Sequence, residues 1–204
     1  QGLPDVKPEE RVRELKRLTG RMIGINLEPV ERGYESADPD SMWKMSPGRV
    51  ATLENAVKAC EMGVDMVLLT GNPGTGVSNQ AITDTLRLLK KELGDRLILA
   101  AGKMHASGIL SEAGEHIITR RDVEEFIGAG ADIVLFPAPG TVPGITMEYV
   151  RGLVTEAHSR NVLTMTSSGT SQEGADAETI RQIALMCKMA GTDIHHVGDS
   201  GYTG

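Results

Sequence analysis

MGVDMVLLTGNPG (62–74), AGADIVLFPAPG (129–140) and AGTDIHHVGDSG (190–201) are three versions of one phrase. Each leaves an amphipathic stretch through Gly-X-Asp, enters an apolar run and ends in a Gly-rich loop. The Gly suits the left-handed residue that closes a helix. The Asp then opens a strand at the end away from the loop. The apolar runs lack polar alternation, the pattern of strands buried on both faces of a parallel sheet. Three copies of the phrase point to repeated βα units.

Working outward, the runs RMIGINL (21–27), RLILAA (96–101) and NVLTMT (161–166) join DMVLLT (65–70), DIVLFP (132–137) and DIHHV (193–197) as strands. Stretches of helical period separate them: GRVATLENAVKACEMG, ITDTLRLLKKELG, TRRDVEEFIGAG, TMEYVRGLVTEAHSR and DAETIRQIALMCKMAG, with PEERVRELKRLTG before the first strand. The pattern predicts one α/β domain over 1–204, a (β/α)8 barrel of the TIM type. Such barrels usually take about 250 residues, and six strands would leave two apolar edges open. The sequence therefore predicts a barrel incomplete at both termini. The loop EPVERGYESADPDSMWKMSP (28–47) is unusually long for a compact domain. It carries Trp43 and Tyr34, and reads as a lid or an oligomer contact.

Composition narrows the partners. The net charge of -7 argues against nucleic acid, which needs clustered Lys and Arg. Aromatics are 3% of the chain, so aliphatic residues must build the core. Cys60 and Cys187 lie in helical stretches and read as buried thiols. Neither a signal peptide nor an apolar run of about 18 residues is present, which predicts a cytoplasmic protein without a membrane partner. Barrels of this type commonly associate, so a homo-oligomer is expected.

In TIM-type barrels the chemistry sits at the C-terminal ends of the strands. That rule selects Glu28 after the first strand, and Lys103 and His105 after the third. A mouth lysine forms Schiff bases or holds an anion, and a carboxylate or imidazole moves protons. The loop TGNPGTGVSN, with Asn72, offers free amides before a helix. Ser168, Gly169, Thr170 and Ser171 form a hydroxyl-rich loop suited to phosphate or carboxylate. His196, Gly198, Ser200 and Gly201 surround the last loop; with a strand before Gln1 it follows strand seven, a usual phosphate site. His195 and His196 share a strand, so only one of them faces the interior. Asp199 would oppose a bare phosphate; with Glu28 it could instead bind Mg²⁺. GxSxG, HExxH and His-X-His patterns are absent, which argues against acyl-enzyme and zinc hydrolase chemistry.

The runs SSGTSQEGADAETIRQIALMCKMAGTDIHHVGDSGYTG (167–204) and AGADIVLFPAPGTVPG (129–144) carry a resemblance. From about residue 21 onward the chain resembles a bacterial TIM-barrel family whose members are often labelled haloacid dehalogenase-like hydrolase or phosphoenolpyruvate phosphonomutase. It is also similar to the BtpA-like barrels. The resemblance implies the barrel fold. It transfers no catalytic residue, because the Glu-Asp-Lys-X-Cys signature of phosphonomutases is absent. The nearest dehalogenase-like string, Asp38-Pro-Asp40-Ser-Met42, lies in the long loop and ends in Met. The residues favour an enzyme acting on a small phosphorylated or carboxylated metabolite, of lyase, aldolase or isomerase type. The alternatives are a Mg²⁺-dependent hydrolase or phosphonomutase-like enzyme, and a non-catalytic barrel that binds a metabolite or a protein.

Overall fold

The computed structural model of the chain describes residues 8–31, 33, 46–71, 73–104, 110–168 and 175–197. Helices and strands alternate through it. The order is α1 (Pro8–Thr19), β1 (Gly24–Leu27), α2 (Leu53–Met62), β2 (Met66–Leu69), α3 (Asn79–Leu93) and β3 (Ile98–Gly102), followed by α4 (Arg120–Gly128), β4 (Ile133–Pro137), α5 (Met147–Ser159), β5 (Leu163–Ser167), α6 (Ala177–Ala190) and β6 (Ile194–His196). All six predicted strands are present. The first is shorter than expected, and β5 runs one residue further, so that Ser167 is strand and not loop.

Local chemistry sets the helix limits. Thr52, Ser78, Thr119, Thr146 and Asp176 each accept a backbone N–H in the first turn of the helix that follows. Thr119 and Asp122 complete a reciprocal capping box. Gly63 (φ 89°) and Gly191 (φ 92°) close α2 and α6 in the left-handed conformation that the Gly-X-Asp phrase predicts.

The six strands form one curled parallel sheet in sequential order, β1-β2-β3-β4-β5-β6. Each strand pairs with the next, as consecutive βα units of a TIM-type barrel do. The two faces differ. Val67, Leu69, Leu99, Ala101, Val134 and Phe136 pack with the helices in the larger apolar cluster. Leu68, Ala100, Ile133, Leu135 and Met165 form a smaller cluster on the inner face, with Met66, Ile98, Met104 and Ile194 against it. Both phenylalanines, Phe126 and Phe136, are buried in the helix-side cluster. Of the two free cysteines, Cys187 is buried and Cys60 partly so; burial pushes the Cys187 thiol up against the lowering effect of Thr166, which suits an inert thiol.

The aspartates of the repeated phrase share one job at the N-terminal ends of the strands. Asp65 accepts from the Ile23 N–H and pairs with Lys16; Asp132 accepts from the Leu99 N–H and pairs with Lys90. Asp193 accepts from the Thr164 N–H and lies 2.8 Å from His158 Nε2. Each carboxylate thus ties the base of an even strand to the preceding odd strand and to the helix leading into it. His158 has the structural place its helical position suggests.

Candidate functional site

Strand alternation decides which side chains reach the C-terminal mouth of the inner face. Leu68 and Met165 are inner-face residues, so Thr70 and Ser167, two positions on, follow on that face. Ile194 places His196 there too. Leu27 packs on the helix side, so Glu28 falls on the inner face, and the pairing Leu27↔Leu69 sets it beside Thr70.

Ser167 and His196 are register partners and touch. Ser167 Oγ lies 3.0 Å from His196 Nδ1 and 3.0 Å from Met104 Sδ. The hydroxyl has one proton to give. If the sulfur receives it, the imidazole donates from Nδ1; if Nδ1 receives it, the ring carries its proton on Nε2. In either arrangement Ser167 is fully buried and fixes the ring. His195 points the other way, its Nδ1 3.3 Å from Thr166 Oγ1. Of the two adjacent histidines, His196 is therefore the one at the mouth.

Lys103 follows β3 directly and is only 1% exposed. The residue before it explains the tight fit. A Cβ on Gly102 would stand 2.0 Å from the Leu135 carbonyl oxygen, so β3 presses its bare backbone against β4. Thr70 is the register neighbour of Gly102, by continuation of Leu69↔Ala101. Its hydroxyl is buried and has no hydrogen-bond partner among the described residues.

Glu28 is 6% exposed and salt-bridged to Arg49. The backbone reinforces the pair, since Glu28 N donates to Arg49 O and Ala51 N donates to Glu28 O. A guanidinium already neutralises this carboxylate, so Glu28 does not fit Mg²⁺ as an unengaged ligand would. The second residue of the predicted metal pair, Asp199, lies outside the described residues. Among the described residues there is no group of three His, Cys, Asp or Glu that could hold a metal ion.

The structure thus brings Lys103, His196 and Glu28 to the same end of the sheet, with Ser168 at the exit of β5, where its N–H donates to the His196 carbonyl. Asn72, His105, Gly169, Thr170, Ser171, Gly198, Ser200 and Gly201 lie outside the described residues, as does most of the 28–47 loop. Arg49, Met104 and the Ser167–His196 contact are not legible from sequence alone. Period two along MTS and IHH is the signal that finds Ser167 and His196 together. A separate hollow of about 700 Å³ lies between the β4–α5 turn and α6. Met186, Met189, Thr141 and Thr146 line it and Glu148 is its one carboxylate, so it offers neither an amine nor an imidazole.

The family model described as "Domain of unknown function (DUF7916)" matches residues 1–204. The chain belongs to that family. No curated protein matches the DUF7916 chain. Among solved structures it is similar to deoxyribose phosphate aldolase from Aeropyrum pernix, at 17% identity and a TM-score of 0.56, covering 94% of this chain and 65% of that one. It is similar too to an archaeal fructose-1,6-bisphosphate aldolase with its catalytic Lys covalently bound to the carbinolamine intermediate, at 17% identity and a TM-score of 0.53, covering 94% and 76%. A Schiff base-forming fructose-1,6-bisphosphate aldolase gives 17% identity and a TM-score of 0.51, covering 70% and 54%. The chain therefore spans 54 to 76% of the length of these structures. At this identity the likeness is one of fold. Among the described residues no helix is long and apolar enough to cross a membrane.

Proposed function

We propose that this protein is an enzyme of the lyase, aldolase or isomerase type, acting on the carbonyl group of a small phosphorylated or carboxylated metabolite. The observation that carries the reading is Lys103, a primary amine buried directly after β3, at the end of the sheet where Glu28 and His196 also lie. An amine held there can do what the archaeal aldolase does with its catalytic Lys, which is to bind its substrate as a carbinolamine.

In the proposed route Lys103 Nζ adds to the substrate carbonyl carbon. The carbinolamine loses water and becomes a protonated imine. That imine accepts the electron pair of the Cα–Cβ bond as it breaks, while the hydroxyl on Cβ gives up its proton and leaves as a second carbonyl. The resulting enamine takes a proton at Cα, and water hydrolyses the imine to free the second product and Lys103. Glu28, His105 and His196 are assigned to carry these protons. Asn72, Ser168, Gly169, Thr170, Ser171, Gly198, Ser200 and Gly201 are assigned to hold the anionic end. The single domain 1–204 would use its 28–47 loop as a lid or as a contact in a homo-oligomer.

The test is Lys103→Met, a substitution of similar length without the amine. Retro-aldol and aldol activity would be measured on a panel of keto acids and phosphorylated sugars, with circular dichroism as the folding control. The variant is expected to fold and to lose turnover. A folded variant with unchanged turnover excludes the imine route.

A further inference from the structure

Glu28 and Thr70 are neighbours on the inner face, and the fold leaves the second of them idle. The pairing of β1 with β2 runs on past the strand ends, since the Thr70 N–H donates to the Leu27 carbonyl at 3.4 Å. Leu27 and Leu69 are register partners with side chains on the helix side. One step on, Glu28 and Thr70 therefore stand side by side on the opposite face. Both are buried, at 6% and 4% exposure. Glu28 holds Arg49 in a salt bridge. Thr70 Oγ1 has no hydrogen-bond partner among the described residues. A buried hydroxyl left in this state costs stability, and folds ordinarily avoid it. Val has nearly the same shape without that cost, and Val67 fills a buried position on the same strand.

The chemistry of the pair selects its occupant. A carboxylate only accepts hydrogen bonds, whereas a threonine hydroxyl both donates and accepts. A phosphate, carboxylate or carbonyl oxygen has no proton to give Glu28. An ammonium group can accept nothing from Thr70. A hydroxyl donates to the one and accepts from the other at once. The same face carries a second polar pair, Ser167 and His196, in contact at 3.0 Å across β5 and β6. A hydroxyl and an imidazole also exchange hydrogen bonds with alcohols. Between the two pairs in strand order lies Met104, which follows β3 and packs against the inner-face cluster. Its unbranched thioether is adaptable and can give way to a bound molecule.

We infer that Glu28 and Thr70 form a binding subsite for a hydroxyl group of a small polyhydroxylated molecule, a polyol or sugar. The ligand hydroxyl donates to the Glu28 carboxylate and accepts from Thr70 Oγ1. The free protein carries the unpaired threonine hydroxyl, and the ligand satisfies it. A molecule with a methylene in place of that hydroxyl leaves Thr70 unpaired, so the site rejects it. The subsite needs no contact with Lys103 and goes beyond the imine reading.

Glycerol, erythritol and ribitol are suitable probes, because none has a carbonyl for a lysine to attack. Each would be titrated into the purified protein carrying isotope-labelled threonine methyl groups, with the methyl NMR signals followed. The Thr70 signal is identified by its loss in Thr70→Val. Affinities of wild type, Thr70→Val and Thr70→Ser would be read from saturation-transfer NMR of the polyol. At least one polyol should shift the Thr70 methyl signal saturably. Thr70→Val should bind that polyol about 3- to 10-fold more weakly, the effect of one hydrogen bond. Thr70→Ser keeps the hydroxyl and should bind as wild type does. The unfolding midpoint of Thr70→Val should equal or exceed that of wild type, because the substitution removes an unpaired polar atom. The inference is overturned by the absence of a saturable shift with all three polyols, or by equal affinity in Thr70→Val. A lower midpoint in Thr70→Val overturns it too, since the hydroxyl would then have a structural partner such as a bridging water. Trapping at Lys103 is a separate measurement, so either reading can fail without the other.

Discussion

His195 and His196 are neighbours in sequence with different surroundings, and the difference can be measured. His196 is fixed by Ser167 at the mouth, whereas His195 meets Thr166 on the other face. As a proton carrier, His196 should lower kcat by about 10²- to 10⁴-fold when changed to Ala; His195→Ala should leave kcat near wild type. Equal losses in the two variants would contradict the assignment. Ser167→Ala should keep the fold and lower kcat, because it removes the buried hydroxyl that fixes the His196 ring. Gly102 is a position of a different kind. A methyl group there meets a backbone oxygen at 2.0 Å, which no rotamer change relieves. Gly102→Ala should therefore destabilise by at least about 3 kcal/mol, the upper range of overpacking costs, read from a urea unfolding midpoint. These residue-level facts were only partly legible. The strand-end rule finds Glu28, Lys103 and His196 from sequence alone. The choice between the two histidines, the Arg49 partner of Glu28 and the idle hydroxyl of Thr70 depend on register and burial, which neighbouring letters do not encode.

The repeated Gly-X-Asp phrase is the element-scale device, and its recurrence is what made the fold readable. Sequence placed the Asp at the base of each even strand; the structure adds its partners. Asp132 accepts from the Leu99 N–H, so Asp132→Ala leaves that donor unpaired and should cost about 1–3 kcal/mol. An unchanged denaturation midpoint would contradict the clamp. Acid should act through the same device. The Lys16 ammonium, helped by the Ile23 N–H, holds the Asp65 carboxyl below its ordinary value. Burial pushes Asp193 up, but the His158 and Thr164 hydrogen bonds outweigh it and the net shift is downward. A folded-state carboxyl below the unfolded value of about 3.9 contributes stability that is complete above that pH. The contribution is lost as pH falls from there through the lower folded value. Urea midpoints should therefore drop between about pH 4 and the acid limit, and Asp65→Asn should flatten part of that slope. A wild-type slope in Asp65→Asn would place the acid sensitivity elsewhere. The strand limits shifted by only a few residues from expectation. β1 begins at Gly24, after Arg21, Met22 and Ile23, because only from Gly24 onward does the chain pair with β2. β5 extends to Ser167 because β4 and β6 both pair with it there.

For the whole molecule, one arrangement carries everything proposed. Six parallel strands in chain order send their C-terminal ends to one side, and the apolar inner face leaves its few polar side chains there. Direction and order were legible because buried parallel strands separated by amphipathic helices have few other solutions. The chemistry was less legible, since a lysine in AAGKMH reads the same whether solvated or enclosed. Its 1% exposure makes Lys103 the centre of the account. The most direct test is reductive trapping followed by peptide mapping. The protein would be incubated with dihydroxyacetone phosphate, pyruvate or hydroxyacetone, reduced with cyanoborohydride, digested and sequenced by mass spectrometry. The account predicts a single modified lysine, Lys103, with at least one of these carbonyl compounds. Labelling spread over the exposed lysines, with Lys103 untouched, would contradict it.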